Sequence, residues 1–394
     1  MTGGTIFLVI KRAILFLLIF CLPFQLGYHF WLPQSFVSSF RVDYLSPTFY
    51  LTDLLILCYL ILNLRRIKLN PLFIILVSIN LWITKGNPVT IFAWLRLLEY
   101  YLLFQVLRSE SNLTSKARKP FLLSLCVILS LSALQFLFQS SIGGPFYFIG
   151  ERPLSVYLPN IAKINLPWTQ ILRPYSTFSH PNSLAGYLLV CLILLPLFTR
   201  SKLLKILISA TIVLTFSKTA ILTLVLIEAF RPSYLWTIIF SPTLALTPLL
   251  KPARALPQWL QQSFVARHNL IPPTLEMIKD HWLAGVGLRQ FIPTLAQQLP
   301  GNQLSYQSLQ PVHNTVLMIA AELGIAGAII LYILFSETVK PLFKNHETRK
   351  YLTKILGVVF ITGALDHYWW TLPQNQLIII LAIALLRNMP HDSH

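Results

Sequence analysis

Long apolar runs recur along the chain at 10–30, 48–64, 70–84, 88–107, 119–139 and 182–199, and again at 202–216, 217–231, 233–250, 313–336, 351–367 and 371–388. Each approaches the roughly 20 residues that a helix needs to cross a bilayer. The pattern predicts twelve transmembrane helices, with 202–231 readable as one long helix or two short ones. The first run follows Lys11 and Arg12 with no small-residue cleavage site behind it, so it reads as an anchor helix rather than a signal peptide. Two long segments, 140–181 and 251–312, interrupt the alternation. Connections of that length usually carry function. No internal repeat supports an inverted-repeat transporter.

Composition narrows the class. Of 394 residues only 11% are charged and 55% are hydrophobic, and mean hydropathy is +0.66. An ordinary soluble domain is about 25% charged, so a soluble multidomain protein is excluded. The expected fold is an all-α polytopic membrane protein, one integral domain over 1–394, with about twelve transmembrane helices and two long outer-face loops. The net charge of +18 suggests anionic partners when taken alone. Its distribution says otherwise: alternate connections, with Lys11, Arg12, Arg231, Lys354 and Arg387, gather 19 of the 31 lysines and arginines on one side. By the positive-inside rule that side is cytoplasmic, as are both termini. The excess charge thus orients the protein among membrane lipids and implies no nucleic acid. Cys21, Cys58, Cys126 and Cys191 lie in apolar runs without metal or disulfide spacing.

With that topology, the polar residues of interest fall at one face. "LRPYSTFSHPNSLAGYLL" carries Arg173 and His180 ahead of Pro181 and Asn182. Pro181 and Asn182 suit a helix start, whereas Arg173 and His180 serve no such purpose. "LTFSKTAILTLVL" sets Lys218 in an apolar stretch. The large loop holds Arg254, Arg267, His268 and Arg289, and its amphipathic 257–279 portion, with Trp259 and Phe264, predicts a helix lying on the membrane surface. Gly285 and Gly287 in "GVGLRQF" predict a tight turn, without the strand context of a dinucleotide fingerprint. "VHNTVLMIAAELGIAGAII" begins with His313 and Asn314. At 100° per residue, Ala320, Gly324 and Gly327 lie within about 40° of His313, and Glu322 lies about 180° away. This predicts a histidine above a strip of small residues that admits a neighbouring helix. It also predicts that Glu322 is a buried structural carboxylate, a bystander to the chemistry, partnered by Arg96 or by another span. "GALDHYWWTLPQNQ" adds Asp366 and His367 to the same face. Several cations there call for an anionic partner, and guanidinium groups bind phosphate oxygens bidentately.

"HNTVLMIAAELGIAG", "STFSHPNSLAGYL", "FSKTA", "GVGLRQF" and "DHYWW" occur in an order that resembles the O-antigen ligase and polymerase superfamily, which includes bacterial O-oligosaccharyltransferases. The resemblance covers roughly 170–370. It implies a glycosyltransferase-C-like membrane enzyme of the bacterial inner membrane, acting at its periplasmic face. Such an enzyme moves a glycan from an undecaprenyl-pyrophosphate donor to a hydroxyl of a glycolipid or glycan acceptor, with inversion, no metal and no cofactor. The resemblance places the family's essential histidine at His313 and a loop arginine at Arg267. It puts Lys218 where the family carries a second arginine, and lysine offers a point charge in place of a fork. These three are the expected catalytic residues. Arg173, His180, Asn182, Arg254, Arg289, Asn314, Asp366 and His367 are expected to bind substrate. A polymerase, a protein O-oligosaccharyltransferase and a lipid-linked glycan flippase are the alternatives.

Overall fold

The computed structural model describes residues 3–64, 68–165, 167–229, 267–301, 304–306 and 308–389. They fold mainly as helices: α1 Gly3–Cys21, α2 Leu51–Ile61, α3 Pro71–Ile83, α4 Pro88–Leu107, α5 Leu113–Phe138, α6 Pro181–Leu194 and α7 Lys202–Leu214. Then come α8 Lys218–Ala229, α9 Ile271–Asp280, α10 Phe291–Gln298, α11 Thr315–Val339, α12 His346–Gly363, α13 Tyr368–Thr371 and α14 Pro373–Arg387. Three helices among the described residues are long and apolar enough to cross a membrane: Pro88–Leu107, Leu113–Phe138, and Thr315–Phe343, which extends α11 through a short 3-10 turn. Four shorter apolar helices accompany them.

The helix starts follow from local chemistry. Asn70 and Asn87 each cap the second amide of their helix with the side-chain oxygen, at 2.9 Å, and each is followed by a proline whose missing N–H costs nothing there. Asn314 caps the amide of Leu317 at 2.8 Å, and Asn345 caps those of Glu347 and Thr348.

Several expected boundaries shift. The run at 10–30 is helical only to Cys21, because Pro23 follows and the chain turns into β1 Gly27–His29. β1 pairs antiparallel with β4 Thr48–Tyr50, and between them β2 Phe36–Val37 and β3 Phe40–Arg41 form a small hairpin. β5 Lys163–Asn165 pairs with β6 Gln170–Leu172 in the first long loop. The run at 202–231 is two helices, α7 and α8, separated where Phe216 takes φ +50°. The span expected at 233–250, and residues 257–266 of the amphipathic segment with Trp259 and Phe264, lie outside the described residues, while the rest of that segment runs into α9.

A main core joins Leu18 of α1, Tyr59 of α2, Leu103 of α4, Phe121 of α5, Leu188 of α6 and Ile378 of α14. Between membrane helices, close packing has to supply the association that the hydrophobic effect supplies in water. A second core, at the end of the bundle that carries the site, seats Leu45 against Met277, Phe291, Leu295, Val312 and Met318. It anchors the large loop onto the start of α11.

Candidate active site

The site is built on a break in α11. Gly324 has φ +63° and ψ −175°, so α11 is two half-helices rather than one rod. The chain just after α9 threads into the gap. Val286 and Gly287 donate to the carbonyls of Ala321 and Glu322, both at 2.9 Å, while Ile325 and Ala326 donate to Trp282 and Leu283 at 2.8 and 3.0 Å. Backbone groups released by the break are thereby satisfied by the loop, as an apolar environment demands. Two glycines permit the crossing. A Cβ on Gly285 would lie 2.4 Å from the Glu322 backbone, and one on Gly324 would lie 2.5 Å from the amides of Ala284 and Gly285. The expected strip of small residues is therefore corrected: Gly324 receives a loop, whereas Gly327 faces a helix, its Cβ position 3.2 Å from Leu76 of α3.

Glu322 is a buried structural carboxylate, as expected, but it is no bystander to the site. Its carboxylate accepts from the Tyr44 hydroxyl at 2.9 Å, the Trp370 indole at 2.7 Å and the backbone amide of Arg289 at 2.8 Å. Arg96 is not its partner. Arg96 pairs with Asp53 at 2.7 Å. Held by its amide, Arg289 adopts φ +66°; its guanidinium lies 4.1 Å from the Tyr44 ring centre and donates to the carbonyls of Tyr44 and Thr371.

Around the start of α11 the polar residues converge. His313 Nδ1 faces Asp366 Oδ1 at 3.7 Å and is buried without a hydrogen-bond partner among the described residues. The two oxygens of Asp366 are fixed by the His367 amide at 2.8 Å and by Asn182 Nδ2 at 3.0 Å. Arg173 orients Asn182 in turn, donating to its oxygen at 2.7 Å and to the Thr215 carbonyl at 2.6 Å. The backbone that presents Asp366 is gripped by Asn314 on Ala364, Arg267 on Leu365 and Thr315 on Asp366 itself, at 2.9, 3.1 and 2.9 Å. The His313 and His367 rings lie 5.3 Å apart, and His367 Nδ1 meets the Thr371 hydroxyl at 2.9 Å.

Electrostatics assign different states to these groups. Burial pushes the Asp366 carboxyl upward, but the facing His313 and then His367 and Arg267 outweigh it and hold it well below the usual carboxylate range. Burial depresses His367 to about 4, against the pull of Asp366. Burial and the Arg173 charge depress His180 to about 3. A neutral His180 has a structural use, since its Nδ1 accepts the Asn182 amide at 3.1 Å and caps α6. The expectation that His180 takes no part in starting a helix is corrected accordingly.

Residues 183–332 match the family model described as O-antigen ligase. This stretch is similar to the O-antigen ligase family. The matched O-antigen ligase segment holds Lys218, Arg267, Arg289 and His313, and the motif-based resemblance to the O-antigen ligase-like superfamily stands on it. No curated protein matches the chain.

Of the expected residues, His313, Asp366, His367, Asn182 and Arg173 form one connected cluster. Arg267 borders it, and Lys218 opens α8 within electrostatic reach of Arg267 and Arg173. Arg289 stands on the other side of His367, joined through Thr371. Asn314 is buried and spent on its cap and on Ala364. Arg254 lies outside the described residues. Sequence reasoning passed over Tyr44, Glu322, Trp370 and Thr371. The signal for Tyr44 was available: "RVDYLSPT" is a polar interval after the first apolar run, too long for a turn. His313, Asp366 and His367 also offer one potential metal-ligand atom each within 4.8 Å of one another. Both Asp366 oxygens and His367 Nδ1 hold hydrogen bonds, whereas His313 Nδ1 holds none among the described residues.

Proposed function

We propose that this O-antigen ligase-type membrane glycan transferase takes its glycan from an undecaprenyl-pyrophosphate donor at the periplasmic face of the inner membrane. The acceptor is a hydroxyl on a glycolipid or growing glycan. The observation that carries the reading is His313 facing an ionised Asp366 at 3.7 Å beside Arg267. In this scheme Asp366 closes the 3.7 Å gap to His313 Nδ1 when substrate binds and so turns the Nδ1 proton inward, which leaves Nε2 to take a proton from substrate, the division of labour of a histidine–carboxylate pair.

The acceptor hydroxyl loses its proton to His313 Nε2 as its oxygen bonds to the anomeric carbon. The bond from that carbon to the pyrophosphate oxygen breaks on the opposite face, which inverts the centre. The departing lipid pyrophosphate keeps the electron pair, and Arg267 and Lys218 stabilise its charge. Arg173 is spent on Asn182 and Thr215, so its part is to position rather than to grip the leaving group.

Purified protein, a polyprenyl-pyrophosphate glycan and an acceptor, assayed with and without chelator, test the scheme. His313→Ala should lower transfer by about 10²–10⁴-fold, the usual worth of a general base. Full activity in that variant removes the base role, and abolition of wild-type activity by chelator transfers the chemistry to a metal held by His313, Asp366 and His367. In a deletion strain, accumulated polymer on lipid identifies a ligase, and accumulated single repeats on lipid identify a polymerase.

A further inference from the structure

Beyond His367, on the side away from Asp366, lies a cavity of about 500 Å³ that the transfer scheme leaves unused. Its wall is made by the start of α4, the β1–β4 segment, the 147–153 loop, Arg289 and the residues around α13. Its size falls in the range of about 300–1,000 Å³ that holds a small organic ligand. Three arginines line it: Arg96, Arg152 and Arg289. Two carboxylates line it too, but both are engaged. Glu151 accepts from Gln135 Nε2 and from the amides of Ile142 and Gly143, at 2.7–2.9 Å, and the exposed Asp43 pairs with Arg41 at 3.5 Å.

The arginines are only partly spent. Each guanidinium carries five N–H donors. Arg152 gives one to the Ser179 carbonyl, and Arg289 gives two to backbone carbonyls. Arg96 sits eight residues into α4, about 12 Å below its start. It uses one nitrogen on Asp53 and the Thr48 carbonyl, and its Nε is buried with no partner among the described residues. The left-handed φ of Arg289 is a second, independent sign, because strained non-glycine backbone held in place by the surroundings clusters at ligand clamps. Aromatic faces complete the wall in Tyr44, Tyr50, Tyr147 and Trp370, the surfaces on which sugar rings stack. His367 closes the end toward His313, its ring 5.3 Å from that of His313.

We infer that this cavity is the acceptor subsite, and that the acceptor it takes is an acidic saccharide, carrying a carboxylate or phosphate on its ring. This rests on the transferase reading above. Donor pyrophosphate and acceptor anion then occupy opposite sides of the His313–Asp366–His367 cluster, each with its own cations. The separation keeps an anionic acceptor from competing for Arg267 and Lys218.

Binding alone, without turnover, tests it. Full-length protein in detergent is titrated with tri-galacturonate, with its methyl ester and with undecaprenyl pyrophosphate, read by the fluorescence of Trp370 against a Trp370→Phe control. Tri-galacturonate should bind about ten-fold or more tightly than the ester, the worth of a charge-assisted hydrogen bond. Arg289→Gln should cost a similar factor and Arg289→Lys less. Arg152→Gln, on an exposed side chain whose loss leaves the fold alone, should cost a few-fold. Lys218→Gln should weaken the lipid pyrophosphate and leave tri-galacturonate unchanged. Mannose 6-phosphate should displace the acidic sugar far better than inorganic phosphate. The proposal is overturned if the ester binds equally, if tri-galacturonate does not bind, or if inorganic phosphate displaces as well as the sugar phosphate. It is equally overturned if Lys218→Gln weakens tri-galacturonate while the Arg152 and Arg289 variants do not. A failed transfer assay would refute the transferase reading and leave these titrations standing, and the reverse also holds.

Discussion

Gly324→Ala is the sharpest probe of how the site is built. At φ +63° and ψ −175° the residue occupies a region that is essentially reserved for glycine, costing about 1–3 kcal/mol for any other residue. The new methyl would also stand 2.5 Å from backbone atoms of Leu283, Ala284 and Gly285, none of which is a flexible chain end that can swing away. The crossing has to open, and the bonds nearest to it are Ile325 to Trp282 and Ala326 to Leu283. At about 1 kcal/mol net each, they add about 2 kcal/mol. The expected loss is therefore about 3–5 kcal/mol. Arg289 follows Gly287 by two residues, so opening the crossing also displaces it, and misplacement by about 1 Å typically costs on the order of 10² in rate. The assay is denaturant unfolding in detergent alongside glycan transfer. Gly301→Ala is the control, since a Cβ there meets nothing within 4 Å and its φ is ordinary. Equal stability and activity in the two variants would refute the account of the broken helix.

Glu322→Ala strands the Tyr44 hydroxyl, the Trp370 indole and the Arg289 amide together, so unfolding should show a loss of about 3 kcal/mol or more. Glu322→Gln, which retains an acceptor, should lose less. His367 is held neutral, with its folded value depressed from 6.5 to about 4, so the unfolded state binds the extra proton between those values. Stability should be full above pH 6.5 and fall as pH drops toward 4, and His367→Gln should flatten that slope in thermal melts taken across the window. Lys218→Arg restores the forked cation of the family pattern and should keep or raise kcat, whereas Lys218→Gln should lower transfer about ten-fold or more at unchanged acceptor KM.

Helix positions were legible because the chain marks its starts in local chemistry. The Asn-Pro pairs at 70–71 and 87–88 announce α3 and α4, and apolar length announces α5 and α11. The break in α11 was not legible. Gly324 sits in an apolar run that tolerates glycine, and the loop that fills the gap lies about forty residues upstream, where no periodicity links the two. His180 was misjudged because histidine is a rare cap, and it serves here only because burial keeps it neutral. The grouping of His313, Asp366 and Asn182 followed from topology alone. The pairing of Arg96 with Asp53 did not, since no pattern shared by α2 and α4 announces it.

The threaded helix break also constrains the order of assembly. A half-helix ending at Leu323 would bring unsatisfied carbonyls into lipid until residues 282–287 reach them, so α11 cannot mature as an independent hairpin leg. The donor loop is synthesised first and has to wait, held by the core that Met277 and Phe291 share with Met318, until the receiving helix is threaded beside it. In the proposed scheme the crossing therefore has to close before the site is whole, since it also seats Arg289 two residues beyond Gly287.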